Sequence, residues 1–441
     1  MMAVRGALDA ARKRYVKGGA ADVLTLMSGT AVSQAVLLLG LPILTRVYEP
    51  SEFGAFAVAH TIGLILVVFL TFRSEAVLIY EREPFVALRF LKGLIVYSSL
   101  LVVALLAFAL VLGRLADVAL IGANMPYIVL LLALAFFFGG SMLLRSWLVR
   151  CKRNATVSLA YGSRGPVFLI TATVAGLLGV QTTVPGGLVL LGAQVLAEAT
   201  CFAIAAAALS PRERAYLWQV RTSRVVDAFA RGHRAFSASF GSQIILQMSD
   251  RLPLLVVSAV FGPASAGLFS LAERVVAAPF QLVSTAVIDI FNRQASEEWN
   301  RNGRLDNVIR RWLRQLLLLS TAPFLIAVAI FYFFTDEIFG SQWAGAWLTL
   351  CLLSVWSFGY FNFRVFDRWF VPMQRYSYYF TAIGARLLLI VILSVLSFLD
   401  LIDYRGFVIA FVLISLATDV LVVLFGLRAG RGRPGASASR S

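Results

Sequence analysis

The chain has 441 residues, 60% of them hydrophobic and only 14% charged, with a mean hydropathy of +0.83 and a formal net charge of +16. Soluble domains carry about 25% charged residues, and a soluble core can hide a few all-apolar helices but not nearly a whole chain, so an ordinary water-soluble fold is excluded. No basic soluble domain accompanies the positive charge, which places it against anionic lipid and makes nucleic acid an unexpected partner.

Residues 1–22 are basic and precede an apolar run too long for a signal peptide, with no small-residue cleavage site behind it. A bilayer crossing takes about 20 apolar residues at about 1.5 Å of rise each. On that measure the chain predicts twelve spans, at about 23–44, 54–80, 94–112, 125–149, 165–180, 187–209, 236–260, 264–290, 315–334, 343–363, 377–399 and 404–427. The fifth is short and Gly-rich. Long unbroken apolar runs predict helices, because a membrane β-barrel would show short alternating segments. With the N-terminus cytoplasmic, 31 of the 39 basic residues fall in inside segments, Arg145 and four others within spans, and only Arg46, Arg114 and Arg405 outside. That bias is the positive-inside rule, and it predicts both termini in the cytoplasm. Arg164 counts as a loop residue on this reading.

The resulting fold class is an all-α polytopic membrane protein. Its parts are a basic N-terminal segment (1–22), a six-helix lobe (23–209), a cytoplasmic linker (210–235), a second six-helix lobe (236–427) and a disordered basic tail (428–441). Cys151, Cys201 and Cys351 have no metal-ligand spacing, His60 and His233 are far apart, and no nucleotide-binding loop occurs. No metal, cofactor or ATP chemistry is expected. The loops are too short for a soluble catalytic domain, so the chain is read as no enzyme.

A weak repeat links the halves. Leu41-Pro42-Ile43-Leu44 and then Pro50-x-x-x-Gly54-x-Phe56 match Leu252-Pro253-Leu254-Leu255 and then Pro263-x-x-x-Gly267-x-Phe269. Both copies fall across a first-to-second-span turn, so the repeat is parallel, about an axis along the membrane normal. The Pro and Gly residues are expected to set short periplasmic turns and helix starts rather than to touch substrate.

The stretch Leu44-Thr45-Arg46-Val47-Tyr48-Glu49-Pro50-Ser51-Glu52-Phe53-Gly54-Ala55-Phe56 resembles the first external turn of bacterial polysaccharide-biosynthesis exporters. These are O-antigen-type flippases of the multidrug/oligosaccharidyl-lipid/polysaccharide exporter superfamily. Ala272-Glu273-Arg274-Val275 through Pro279, ending at Phe291, resembles their eighth span. The resemblance implies a V-shaped twelve-helix fold in the bacterial inner membrane, with a central cavity. It implies a flippase that turns undecaprenyl-diphosphate-linked oligosaccharides to the periplasmic leaflet for O-antigen or exopolysaccharide synthesis. The implied partners are this anionic diphospholipid, membrane lipids, a polysaccharide polymerase, and a coupling proton or sodium ion. Ending after twelve spans argues against the lipid II flippase branch, which usually has two more. A cation-coupled drug or metabolite antiporter shares the fold and is the competing reading.

Charges inside spans are costly and mark cavities, internal pairs or snorkelling side chains. Arg145 and Asp289 lie about one turn from a cytoplasmic end and are expected to snorkel. Arg251, Arg274 and Arg386 are about 13–15 Å from the nearer span end and are assigned, with Arg73, to binding an anionic substrate. Asp250 and Glu273 can pair these arginines or take a coupling ion. Glu198, with no basic neighbour in sequence, is the preferred coupling residue. Phe136–Phe138 and Phe331–Phe334 are expected to face lipid or pack, and Trp343 and Trp347 to form a periplasmic aromatic belt.

Overall fold

The computed structural model describes residues 2–72, 78, 83–115, 125–219, 222–368 and 376–429. They are helical almost throughout, because apolar backbone in hydrocarbon must bond to itself. The helices are α1 (Met2–Val47), α2 (Pro50–Thr71), α3 (Pro84–Leu115), α4 (Met125–Arg150), α5 (Asn154–Gly162), α6 (Arg164–Leu177), α7 (Gly186–Ala207), α8 (Pro211–Gln219), α9 (Thr222–Asn302), α10 (Asp306–Phe339), α11 (Ala346–Arg364), α12 (Tyr376–Phe398) and α13 (Tyr404–Ala429). Among the described residues, ten helices are long and apolar enough to cross a membrane, which makes this a multi-pass membrane protein.

The count differs from the expected twelve in two places. The expected seventh and eighth spans lie on the single run α9, interrupted at Gly262 by non-helical backbone (φ 86°, ψ 169°). A positive φ suits glycine, which has no Cβ to clash. The expected fifth span, 165–180, corresponds to α6, whose 14 residues are too few to be counted. Arg73 and the side chain of Asp289 lie outside the described residues.

The chain divides into two compact units. The first comprises residues 1–40 and 59–241 and the second residues 41–58 and 242–441. In the first, a core of Leu88, Leu91, Leu94, Leu144, Trp147, Leu148, Val157 and Ala205 joins α3, α4, α5 and α7. Ser210 and Glu213 start α8 as a reciprocal capping box, with Pro211 at the first helical position. Arg153 donates to Glu213 at 2.9 Å and Trp147 Nε1 at 3.2 Å. Burial pushes the Glu213 carboxyl up, but the Ser210 and Arg153 donors outweigh it and hold it below the usual carboxylate range.

In the second unit, the tips of the two sequence repeats pack reciprocally. A Cβ on Gly54 would stand 1.8 Å from the Pro263 carbonyl oxygen, and one on Gly267 would stand 1.9 Å from that of Pro50. Each repeat thus supplies one proline carbonyl and one glycine, and the two helix starts meet backbone to backbone. The end of α1 is closed by the same neighbourhood. Gln342 and the Trp343 indole N–H (2.8 Å) donate to the Thr45 carbonyl, while Arg46 donates to Glu337 at 3.1 Å, near the end of α10. These are the carbonyls a helix end leaves without partners. Trp343 is therefore fully buried and packed edge-on against Phe53, and it is not the belt residue its sequence position suggested. Trp347 is 40% exposed, and Tyr332, Phe333 and Phe334 are exposed apolar surface.

Two outcomes follow from this packing. Gly54→Ala and Gly267→Ala should each lower the melting temperature in detergent, by a clash cost of about 1–3 kcal/mol. The double variant should lose less than the sum, since one broken contact frees the other. Additive losses would show that the two contacts are independent. For Glu213, the folded pKa is lowered, so its stabilisation is present above the ordinary carboxylate pKa and is lost as pH falls through the folded value. Glu213→Gln should therefore melt lower than wild type at pH 7, with the gap closing at acid pH. A gap that is constant with pH would contradict the assignment.

Candidate functional site

Two antiparallel helices joined by a sharp turn bring residues equidistant from the turn to one level. Arg251 and Glu273 are each eleven residues from Gly262, about 16 Å along their helices. That is about half the thickness of a bilayer's hydrocarbon. Their side chains meet there, Arg251 Nη1 standing 3.7 Å from Glu273 Oε1. At that distance the contact is an ion pair without a good hydrogen bond. Arg251 Nε is buried with no hydrogen-bond partner, so the guanidinium keeps donors to spare.

The adjacent Asp250 turns to another neighbour. Its carboxylate accepts from Arg386 Nη1 of α12 at 2.9 Å, and Arg386 Nη2 reaches Ser415 of α13 at 3.4 Å. Arg386 is 5% exposed, whereas the Asp250 carboxylate is half-buried at the cavity wall. Arg274 takes a third course. Its guanidinium lies 4.8 Å from the centre of the Phe56 ring and 5.7 Å from that of Phe53. Side chains lean toward the N-terminal end of a helix, which carries Arg274 back to these repeat-tip aromatics.

A cavity of about 70 Å³ opens between these groups. Asp250, Arg251, Glu273, Ala277, Trp356, Ser357 and Tyr360 line it. Trp356 and Tyr360 are successive-turn neighbours on α11 with ring centres 5.5 Å apart, and the Ser357 hydroxyl is tied to the Val276 carbonyl. With Arg386 on Asp250, the charges around the cavity balance. Four of the charges singled out in sequence thus meet at or beside the cavity, namely Asp250, Arg251, Glu273 and, through Asp250, Arg386, while Arg274 turns to the Phe53 and Phe56 rings. Trp356, Ser357 and Tyr360 carry a fainter sequence signal, a Trp, a Ser and a Tyr at i, i+1 and i+4 on one apolar helix.

Glu198 lies elsewhere, in the first unit. It is 1% exposed, and its carboxylate is 2.8 Å from Arg164 Nη2. Gln194 donates to its other oxygen at 3.2 Å. Arg164, counted as a loop residue in sequence, is in fact the largely buried counter-ion of Glu198, stacked 4.0 Å from the centre of the Tyr161 ring. It was misplaced because α6 begins with it, leaving no apolar residue of that helix before it. Among the described residues no group of three or more His, Cys, Asp or Glu side chains could hold a metal ion.

A model of the family described as polysaccharide biosynthesis protein matches residues 43–348. Over 334 residues the chain is 26% identical to the succinoglycan biosynthesis transport protein ExoT of Rhizobium meliloti (strain 1021), covering 71% of this chain and 61% of that protein. The chain therefore spans less than two thirds of this relative's length. Among solved structures, the lipid II flippase MurJ in its inward closed conformation superposes with a TM-score of 0.67 at 14% identity, over 91% of this chain and 86% of that one. A MATE transporter in complex with MaL6 gives 0.54 at 16%, over 92% and 95%. At such identities the likeness is one of fold.

The Asp250–Arg386 pair can be tested directly. Arg386→Met should cost about 2 kcal/mol of stability, because it removes a charge-assisted hydrogen bond from a half-buried carboxylate. Adding Asp250→Asn should restore most of it in a double-mutant cycle. Equal and additive losses would mean that the pair is not energetically coupled.

Proposed function

Because the chain belongs to the polysaccharide biosynthesis protein family, we propose that it moves undecaprenyl-diphosphate-linked oligosaccharide repeat units from the cytoplasmic to the periplasmic leaflet of the bacterial inner membrane. It acts as a transporter and not as an enzyme. Twelve spans in two parallel six-helix lobes, 23–209 and 236–427, flank a V-shaped cavity, with both termini cytoplasmic. The loop-charge bias and the break at Gly262 support this arrangement.

One observation carries the reading. Arg251 sits at about mid-bilayer depth beside a cavity, with guanidinium donors left over after its pairing with Glu273. A lipid diphosphate crossing low-dielectric space needs such a planar, permanently charged donor to replace its water. Arg274 adds a second guanidinium that leans on rings rather than on a carboxylate. In this reading Arg386 and Arg73 complete the set of arginines that meets the substrate. Asp250 and Glu273 hold arginines between substrates, and Glu198 serves as an ion-pairing or coupling residue.

The balanced charge of the cavity favours one other reading, a cation-coupled antiporter of drugs or metabolites. Proteoliposome transport separates the two. Wild-type protein should flip a fluorescent undecaprenyl-diphosphate oligosaccharide, and Arg251→Gln should slow flipping about tenfold, the worth of one charge-assisted hydrogen bond. Arg251→Lys should recover part of the rate. Uptake of organic cations together with no movement of the diphospholipid would favour the antiporter.

A further inference from the structure

The first unit contains an intramembrane arginine that no carboxylate among the described residues neutralises. Arg145 of α4 is exposed, and no described Asp or Glu lies within ion-pairing distance of it. Its guanidinium lies 4.9 Å from the centre of the Tyr161 ring of α5, and Arg164 lies 4.0 Å from the same ring. The charged groups around Tyr161 are therefore Arg145, Arg164 and Glu198. Glu198 is bound to Arg164 and Gln194, which leaves one positive charge in excess.

Arg145 was expected to snorkel, and the structure gives its guanidinium a specific neighbour, the Tyr161 ring. The Arg145 Cα is six residues, about 9 Å, from Cys151 at the turn, and side chains on α4 lean toward the N-terminus, away from that turn. The aromatic contact holds the guanidinium over Tyr161, whose own Cα is eight residues, about 12 Å, past Arg153. The ring contact thus gives an exposed cation a fixed place between the helix ends. The Tyr161 hydroxyl and Arg164 Nε, both buried, have no hydrogen-bond partner beside it.

Resting on the flippase reading, we propose that Arg145, backed by Tyr161 and Arg164, is a second phosphate-binding site, which takes the diphosphate of the lipid carrier at the leaflet nearer the Cys151–Arg153 turn. Arg145 contacts the phosphate, Tyr161 positions it, and the Arg164–Glu198 pair supplies the fixed field behind it. An ordinary bilayer phospholipid offers the same phosphate chemistry, and the experiment has an arm for each source.

The test measures binding rather than transport. Wild type, Arg145→Gln and Arg145→Lys in nanodiscs are titrated with geranyl diphosphate, first in neutral phosphatidylcholine and then with phosphatidylglycerol added. Arg145→Gln should weaken geranyl diphosphate binding about tenfold, and Arg145→Lys by less, with phosphatidylglycerol competing only weakly. In a background with Cys151, Cys201 and Cys351 replaced, Arg145→Cys should lose binding and regain it when a thiol reagent attaches an ammonium group. That rescue separates lost charge from lost folding. Unchanged affinity in Arg145→Gln, no rescue, or equal binding of phosphatidylglycerol and diphosphate would overturn the site. Arg145-dependent binding by a wild-type protein that flips no diphospholipid would leave the site standing and remove the flippase reading.

Discussion

Charge at the middle of a bilayer must find partners within the protein, and that requirement organises the second unit. The break at Gly262 turns one long helical run into two arms, and the arms carry Asp250, Arg251, Glu273 and Arg274 to a common level. Water cannot solvate them all at that depth, so each finds a protein partner. Arg251 has Glu273, Asp250 has Arg386, and Arg274 has two phenyl rings. The partners differ in strength. The Asp250–Arg386 bond is short and held by a buried guanidinium, whereas the Arg251–Glu273 contact is long and leaves donors unused. A group with unused donors can change partners at little cost, so chemistry is expected where the pairing is loosest.

The repeat serves this arrangement from a distance. Pro50 and Gly54 meet Gly267 and Pro263, and the two helix starts lock together by backbone contact. The same tips present Phe53 and Phe56 to Arg274. Trp343 fills the space behind Phe53 while capping the end of α1. Prolines that begin helices, glycines that let them touch and an arginine laid over two phenyl rings thus form one continuous structure.

Much of this was legible in the sequence. Hydropathy located the apolar helices, and the P-x-x-x-G-x-F repeat marked the two tips that touch, although it could not say that they touch each other. The depth of Arg251, Arg274 and Arg386 singled out three side chains of which Arg251 meets Glu273 and Arg386 meets Asp250, while Arg274 lies over Phe53 and Phe56. What the sequence hid was partnership across helices. Glu198 looked solitary because Arg164, more than 30 residues away, sat at a helix start and read as a loop residue. Trp343 read as an interface residue because its position fits one, yet the orphan carbonyl of Thr45 draws it inward. Trp356 and Tyr360 were overlooked among 34 Phe and 8 Trp residues, since burial beside a polar cavity leaves no mark in composition.

The central claim is that the charges flanking Gly262 border a water-accessible, substrate-binding cavity. Accessibility of its uncharged lining tests that most directly. Ala277 and Ser357 would each be replaced by Cys in a background lacking Cys151, Cys201 and Cys351, then exposed to a small, permanently charged thiol reagent. Labelling at both positions, slowed by an undecaprenyl-diphosphate oligosaccharide, is the predicted result. Failure of both positions to react in folded protein, with or without the lipid, would contradict the account.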